Sequence, residues 1–343
     1  MSLAYILLDI LWFALIAYAV TGGADFGAGI WDLLAFGTNA ERQHQLIDRA
    51  LGPVWETNHI WLVFLVVGLF STFPTAFSVL CIALFLPLTL ALIGTALRGS
   101  AFVFRTHGLR KGKPALVIWT RVFSFASVMT PFFLAVSAAA VASGQIQVQA
   151  GRPQTQRGLF WLTPFALTIG LMAITLCATV AAIYLTVEAT NEQDTELAEA
   201  FRRRGLLAGA LTALLGALGL RLAASEAHIL WQGMLDHAVA LVIATMLIGL
   251  AAAITLWCRY YRIARILIIA ETAFLLGSWG VSQVPYLIPP HVTVDAAAGA
   301  PNTLFLLLVG IICGMAIILP SIYYLFYIFK IKRNSSSFEQ NIH

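Results

Sequence analysis

Apolar residues in this chain come in runs of about twenty, broken by short polar connections, and a helix of that length crosses a bilayer. The runs are Leu3 to Gly22, Glu56 to Phe73, Ala76 to Leu97, Leu116 to Val141, Leu159 to Val187, Gly205 to Leu222, His237 to Trp257, Ile266 to Val284 and Leu304 to Phe329. They predict nine membrane-spanning helices with the two termini on opposite sides. Little more than Pro74 and Thr75 separates the second run from the third, which predicts a tight helical hairpin, because proline tends to close a helix. Pro87, Pro131 and Pro320 fall inside other runs and predict kinks.

Composition narrows this to a polytopic helical membrane protein. Of the 343 residues, 60% are apolar and 10% charged, and the mean hydropathy is +0.87. A soluble domain of this size needs more polar surface to cover its core. The net charge of +4 is too small and too scattered for a nucleic-acid surface, but the placement of basic residues reports orientation. Sixteen Lys and Arg fall on one set of alternate connections and the C-terminal tail, including Arg98 and Arg105. Only Arg152, Arg157 and Arg221 fall on the other set. Positive loops stay cytoplasmic, so the N-terminus is expected outside and the C-terminus inside. Residues 1–333 read as one transmembrane domain and 334–343 as a polar, serine-rich, disordered cytoplasmic tail. No Lys or Arg precedes the first run, so that helix is expected to be retained. Cys81, Cys177, Cys258 and Cys313 lie far apart without a CxxC pair and read as small apolar residues.

Against this background, ionisable residues in the spans are the candidate chemistry, since a charge at mid-bilayer costs about 2.5 to 3.5 kcal/mol even on the lenient scale. Those singled out are Asp25, Glu56, Arg98, Arg121 and Glu271. Asp25 sits among the glycines of Gly22-Gly23-Ala24-Asp25-Phe26-Gly27-Ala28-Gly29, where Gly23 and Gly27 have the spacing that lets a second backbone approach. Asp32, seven residues on, is expected in the interfacial water layer. Helical geometry puts His59 on nearly the same face as Glu56, while Asn58 and Trp61 look another way. The Glu-x-x-His spacing of a di-iron bundle occurs here only once, which argues against such a centre. Arg98 serves either as a snorkelling anchor or as counter-ion to Glu56 or Asp25. Glu226, His228, Asp236 and His237 are expected on an ordinary polar loop on the outer side. Two readings survive: a proton-handling subunit of a respiratory complex, and a self-contained proton-coupled transporter.

Gly23-Ala24-Asp25-Phe26-Gly27-Ala28-Gly29, with Gly52-Pro53-Val54-Trp55-Glu56-Thr57-Asn58-His59-Ile60-Trp61-Leu62, resembles subunit II of the cytochrome bd quinol oxidases. The similarity continues through Phe73-Pro74, Leu97-Arg98, Phe104-Arg105 and the proline turn at Pro285 and Pro289. The resemblance implies an all-α fold of two four-helix bundles and a peripheral helix in the bacterial cytoplasmic (inner) membrane. It implies a heterodimer with subunit I, which carries two b-type haems, one d-type haem and the quinol-oxidising loop, so that this chain binds no haem itself. It also implies that Asp25, Glu56 and Arg98 line a route for cytoplasmic protons toward the oxygen-reducing haem; the shared helix face adds His59 to that route as a neighbour of Glu56. A quinone bound in this chain and a small single-helix third subunit remain open under it. The chain departs from one branch of the family at two positions: Gly22 stands where that branch has a second aspartate, and Glu56 where it has Asp.

Overall fold

A computed structural model describes residues 2–36, 39–107, 113–149, 152–154 and 159–339; within these, the side chains of 51–56, 105–107, 113–117, 152, 322, 325–326 and 328–339 lie outside the description. The described chain is almost wholly helical. Helix α1 is Leu3–Leu33, α2 Ala40–Thr72, α3 Pro74–Ala83, α4 Phe85–His107, α5 Lys113–Ala142, α6 Pro164–Asn191 and α7 Thr195–Glu226. Then come α8 His228–Gly233, a π-helical turn Met234–Ala238, α9 Val239–Trp257, α10 Tyr261–Gln283, α11 Val294–Ala297 and α12 Pro301–Glu339. Two small antiparallel ribbons cap the α5–α6 and α10–α11 connections: β1 (Val148–Gln149) with β2 (Arg152–Pro153), and β3 (Tyr286–Ile288) with β4 (Val292–Thr293).

Helices α1, α2, α4 and α5 form one four-helix bundle, and α6, α7, α9 and α10 form the second. Helix α12 packs on the outside of α1 and α2. Among the described residues eight helices are long and apolar enough to cross a membrane. The second half of α2 and α3 pass the same test together but meet at 115°, so the ninth expected passage is bent. The expected hairpin turn is thus at Phe73, with Pro74 opening α3.

The expected third span, Ala76 to Leu97, is divided at Leu84 into α3 and α4. Pro87 explains the division. A proline ring clashes with the carbonyl four residues earlier, and Ala83, four residues before Pro87, is where α3 ends. Pro131 and Pro320, in contrast, stay inside continuous helices. A second correction concerns the expected loop from Glu226 to His237, which is helical almost throughout, as α8 and the π turn. Gly233 makes this possible: a Cβ there would lie 1.9 Å from the carbonyl oxygen of Ser282, so only glycine lets this segment seat against α10.

Helix α1 is the hub of the molecule. It packs on α2, α5, α6 and α10, and from Gly22 to Asp32 every residue is buried. Trp12 donates to the Leu276 carbonyl on α10 at 3.0 Å and Trp31 to the Ala178 carbonyl on α6 at 2.8 Å. Gly27 permits the closest approach, since a Cβ there would stand 1.9 Å from the Cys177 carbonyl oxygen. This is the small-residue packing that the glycine spacing predicts. Outside the two bundles the surface is apolar, as at Phe70 and Leu250, and suits contact with lipid tails.

Charges collect at one end, where α1 passes to α2, α6 to α7 and α9 to α10. Arg42 reaches Asp194 at 2.6 Å and Glu196 at 2.9 Å, and Arg49 reaches Glu192 at 2.8 Å. Asp194 also caps α7 by accepting the Leu197 N–H at 3.0 Å. Arg204 lies over the rings of Trp31 and Phe201 and donates to Gln43 Oε1 at 2.8 Å.

Candidate functional site

Inside the first bundle α1, α2, α4 and α5 bring four polar side chains to one point. Asp25 is fully buried and Arg98 is 2% exposed. Arg98 Nη1 and Nη2 donate to the two carboxylate oxygens of Asp25, and Nη2 also donates to the Asp25 backbone carbonyl at 3.0 Å. Its Nε donates to Ser127 Oγ at 2.9 Å, and the Ser127 hydroxyl donates onward to the Phe123 carbonyl at 2.8 Å. The guanidinium carbon lies 4.9 Å from the centre of the Phe26 ring and 4.8 Å from that of Phe123. Two ring faces thus cover a cation whose edge is filled by oxygen, an arrangement that offsets much of the cost of taking it out of water. Of the two roles open to Arg98, the counter-ion is the one observed. Its burial removes it from the loop tally of basic residues without changing that tally's direction.

Asn58 completes the cluster from α2, its Nδ2 donating to Asp25 Oδ2 at 3.2 Å. The helical wheel turned Asn58 away from Glu56, and that is why sequence reasoning passed it over: its partner is on α1, not on its own helix. Asn58 Oδ1 and the Tyr18 hydroxyl are buried without a partner among the described residues. Such atoms are where an ordered water is expected. Gly22 lies against Asn58: a Cβ there would sit 3.1 Å from Asn58 Oδ1 and 3.3 Å from the Phe26 ring. Asn58 and Phe26 therefore leave little room for a side chain at Gly22.

The other predicted residues fall differently. Glu56 is in α2, but its side chain lies outside the described residues. His59, half-buried on the same helix, is engaged in an interaction of its own. Asp32, expected in interfacial water, is buried, with a side-chain exposure of 0%. Glu271 belongs to the second bundle, packed against Gly249 of α9, and lines an apolar cavity of about 510 Å³ among α6, α7, α9 and α10. Arg121 is exposed near the start of α5. At the opposite end from the charged turns, Glu226 accepts the Phe165 N–H at 3.0 Å and His228 bonds to Gln232 at 2.9 Å, so these two serve local structure.

Among the described residues no group of three His, Cys, Asp or Glu side chains is placed to hold a metal ion. No histidine lines either the 510 Å³ cavity or the groove of about 460 Å³ between α2 and α12. Those two spaces therefore offer no imidazole to a haem iron.

The sequence profile described as Cytochrome bd terminal oxidase subunit II matches residues 3–329. The chain belongs to that family. A Bacillus subtilis (strain 168) protein described as a cytochrome bd menaquinol oxidase subunit II is 24% identical over 335 residues, 95% of each chain. A cytochrome bd ubiquinol oxidase subunit 2 from the same organism is 30% identical over 131 residues, covering 37% of this chain and 38% of that one. The structure of the bd oxidase from Geobacillus thermodenitrificans contains a chain of the same fold, with a TM-score of 0.76 at 23% identity, covering 96% of this chain and 99% of that one. As a subunit II, this is a multi-pass protein of the bacterial inner membrane, a member of a haem-containing quinol oxidase complex whose partner is subunit I. The two bundles and the outlying α12 are the architecture the resemblance implies.

Proposed function

We propose that this chain is the haem-free half of its oxidase, that it stabilises subunit I, and that it carries cytoplasmic protons toward the oxygen-reducing haem of that partner. In this reading the N-terminus faces outward and the tail lies in the cytoplasm, both b-type haems and the d-type haem sit in subunit I, and no residue of this chain is assigned to a quinone or to a third subunit. Reduction of oxygen consumes protons, and drawing them from the cytoplasm while quinol releases its own outside separates charge without a pump.

The observation that carries the reading is the buried Asp25–Arg98 pair with Asn58 at its side, inside the first bundle. Isolated charges do not persist there unless the sequence keeps their partners, and hydrophobic side chains of similar volume would often serve stability as well or better. The roles divide by geometry. Arg98 clamps Asp25 through both carboxylate oxygens, so the pair supplies a fixed polar seam rather than a shuttle. Glu56, two residues from Asn58 on α2, is the group given the moving proton, with His59 three residues on in the sequence.

The test is quinol-driven oxygen consumption by the purified two-subunit complex carrying Glu56→Gln, with haem content measured alongside. The amide keeps shape and hydrogen bonding but cannot carry a proton. Turnover falling by about tenfold or more, with haem content intact, is the expected result, in line with the contribution of a positioned acid or base. Full turnover with proton uptake still from the cytoplasmic side would make Glu56 a structural acid and remove this role.

A further inference from the structure

Asp32 and His44 form a second polar station that the reading above does not use. Asp32 lies seven residues after Asp25 on α1, about 10 Å further along the axis and on a similar face. Its carboxylate is buried, yet Oδ1 is 2.5 Å from Nδ1 of His44, whose side chain is 28% exposed. Its other oxygen, Oδ2, accepts from the Ser124 hydroxyl at 3.4 Å. One helical turn along α5 stands Ser127, the serine that receives Arg98 Nε. Asp25 and Asp32 are thus each tied to a serine of α5, directly or through Arg98, and the serines are three residues apart. Gly29, between the two acids, brings the helices together here: a Cβ at that position would be 2.2 Å from Ser127 Oγ.

We propose that the His44–Asp32 pair is the intake site of the proton route, passing protons from water at the charged end of the molecule into the α1–α5 seam that leads to Asp25 and Arg98. This rests on the proton-uptake reading. Imidazole is the side chain that ordinarily changes charge between pH 5 and 8. The His44 ring takes a proton from water at Nε2 and becomes imidazolium. It then releases its Nδ1 proton to Asp32 Oδ1, which leaves a neutral ring and a neutral carboxylic acid. Asp32 then passes that proton inward along the seam and returns to carboxylate, and exchange of the ring tautomer from Nε2–H to Nδ1–H resets the pair.

The charged and titratable groups around the ring fit an intake. On its own helix Asp48 follows one turn later, and Glu41 and Arg42 precede, Arg42 being occupied by Asp194 and Glu196. From α7, Arg204 is held by Gln43 and the ring of Trp31. From α1 comes Asp32 itself, and from α5 Ser124.

The experiment uses the purified two-subunit oxidase and follows quinol-driven oxygen consumption from about pH 6 to about pH 8.5, the range over which an ordinary imidazole loses its proton. His44→Gln and Asp32→Asn are compared with the parent, and haem content is measured for each. The expected result is a steeper fall with rising pH, the ratio of variant to parent rate dropping roughly tenfold across the range. Imidazole added to the buffer should restore the His44→Gln rate at high pH, which no structural role explains. Two results overturn the proposal: parallel pH profiles, or a uniform loss of rate that imidazole does not relieve. Glu56→Gln in the same assay separates the failures. If it slows turnover while His44→Gln does not, uptake through this subunit stands and its intake lies elsewhere. If neither slows, the uptake reading falls together with the intake.

Discussion

Replacing Arg98 with Met tests whether the buried pair is held as a unit. Methionine fills much of the space of the arginine stem, so the loss is chiefly electrostatic. The substitution removes both guanidinium bonds to the Asp25 carboxylate, the bond to its carbonyl, the bond to Ser127 and the contact with the Phe26 and Phe123 rings. It leaves Asp25 with the Asn58 amide at 3.2 Å as its remaining side-chain partner among the described residues. Breaking a buried pair from one side costs about 3 to 5 kcal/mol, which is two to nearly four powers of ten in the folded population. Asp25→Asn placed on top of Arg98→Met removes the stranded charge and should recover about 1 to 3 kcal/mol, the coupling expected of groups in direct contact. The assay is denaturant unfolding of the complex in lipid nanodiscs, followed by tryptophan fluorescence, for the parent, both single variants and the double. If Arg98→Met costs less than about 1 kcal/mol, or if the two changes simply add, the reasoning fails, because it makes each partner's cost depend on the other.

Two further outcomes follow from the fold and the proposed orientation. Gly27→Ala puts a Cβ 1.9 Å from the Cys177 carbonyl oxygen, which forces α1 and α6 apart and should cost about 1 to 3 kcal/mol or more in the same unfolding assay; a neutral result would mean that this approach is looser than described. A reporter active only in the cytoplasm, fused after Arg333, should be active, and activity confined to an outside-only reporter there would reverse the orientation and with it the direction of proton entry.

Legibility in the sequence tracks how local the cause is. The helices could be read because membrane burial demands long apolar runs, and those runs are contiguous. The division at Leu84 was half-legible: Pro87 announces a disturbance, but its effect falls four residues earlier, where the carbonyl is. The π turn at Met234–Ala238 was not legible, since it depends on Gly233 meeting the Ser282 carbonyl on another helix. The same divide runs through the site. Asp25 and Arg98 stand out as charges in apolar runs, but which acid Arg98 serves is a tertiary fact. Asn58 looked idle because a helical wheel compares a residue only with its own helix. Asp32 and His44 are twelve residues apart, on different helices, and nothing in their spacing says that the intervening turn folds one onto the other.

The separation of Asp25 from Arg98 in the chain also sets a problem in time. They are 73 residues apart, and at a synthesis rate of about 5 to 20 residues per second the aspartate leaves the ribosome roughly 4 to 15 s before its arginine. During that interval the first helix meets the insertion machinery with an acid and no cation. It settles only when the fourth helix arrives, so a nascent chain arrested before Arg98 carries an unfinished first helix. The order of synthesis thus leaves the acid without its cation until the later helix is made.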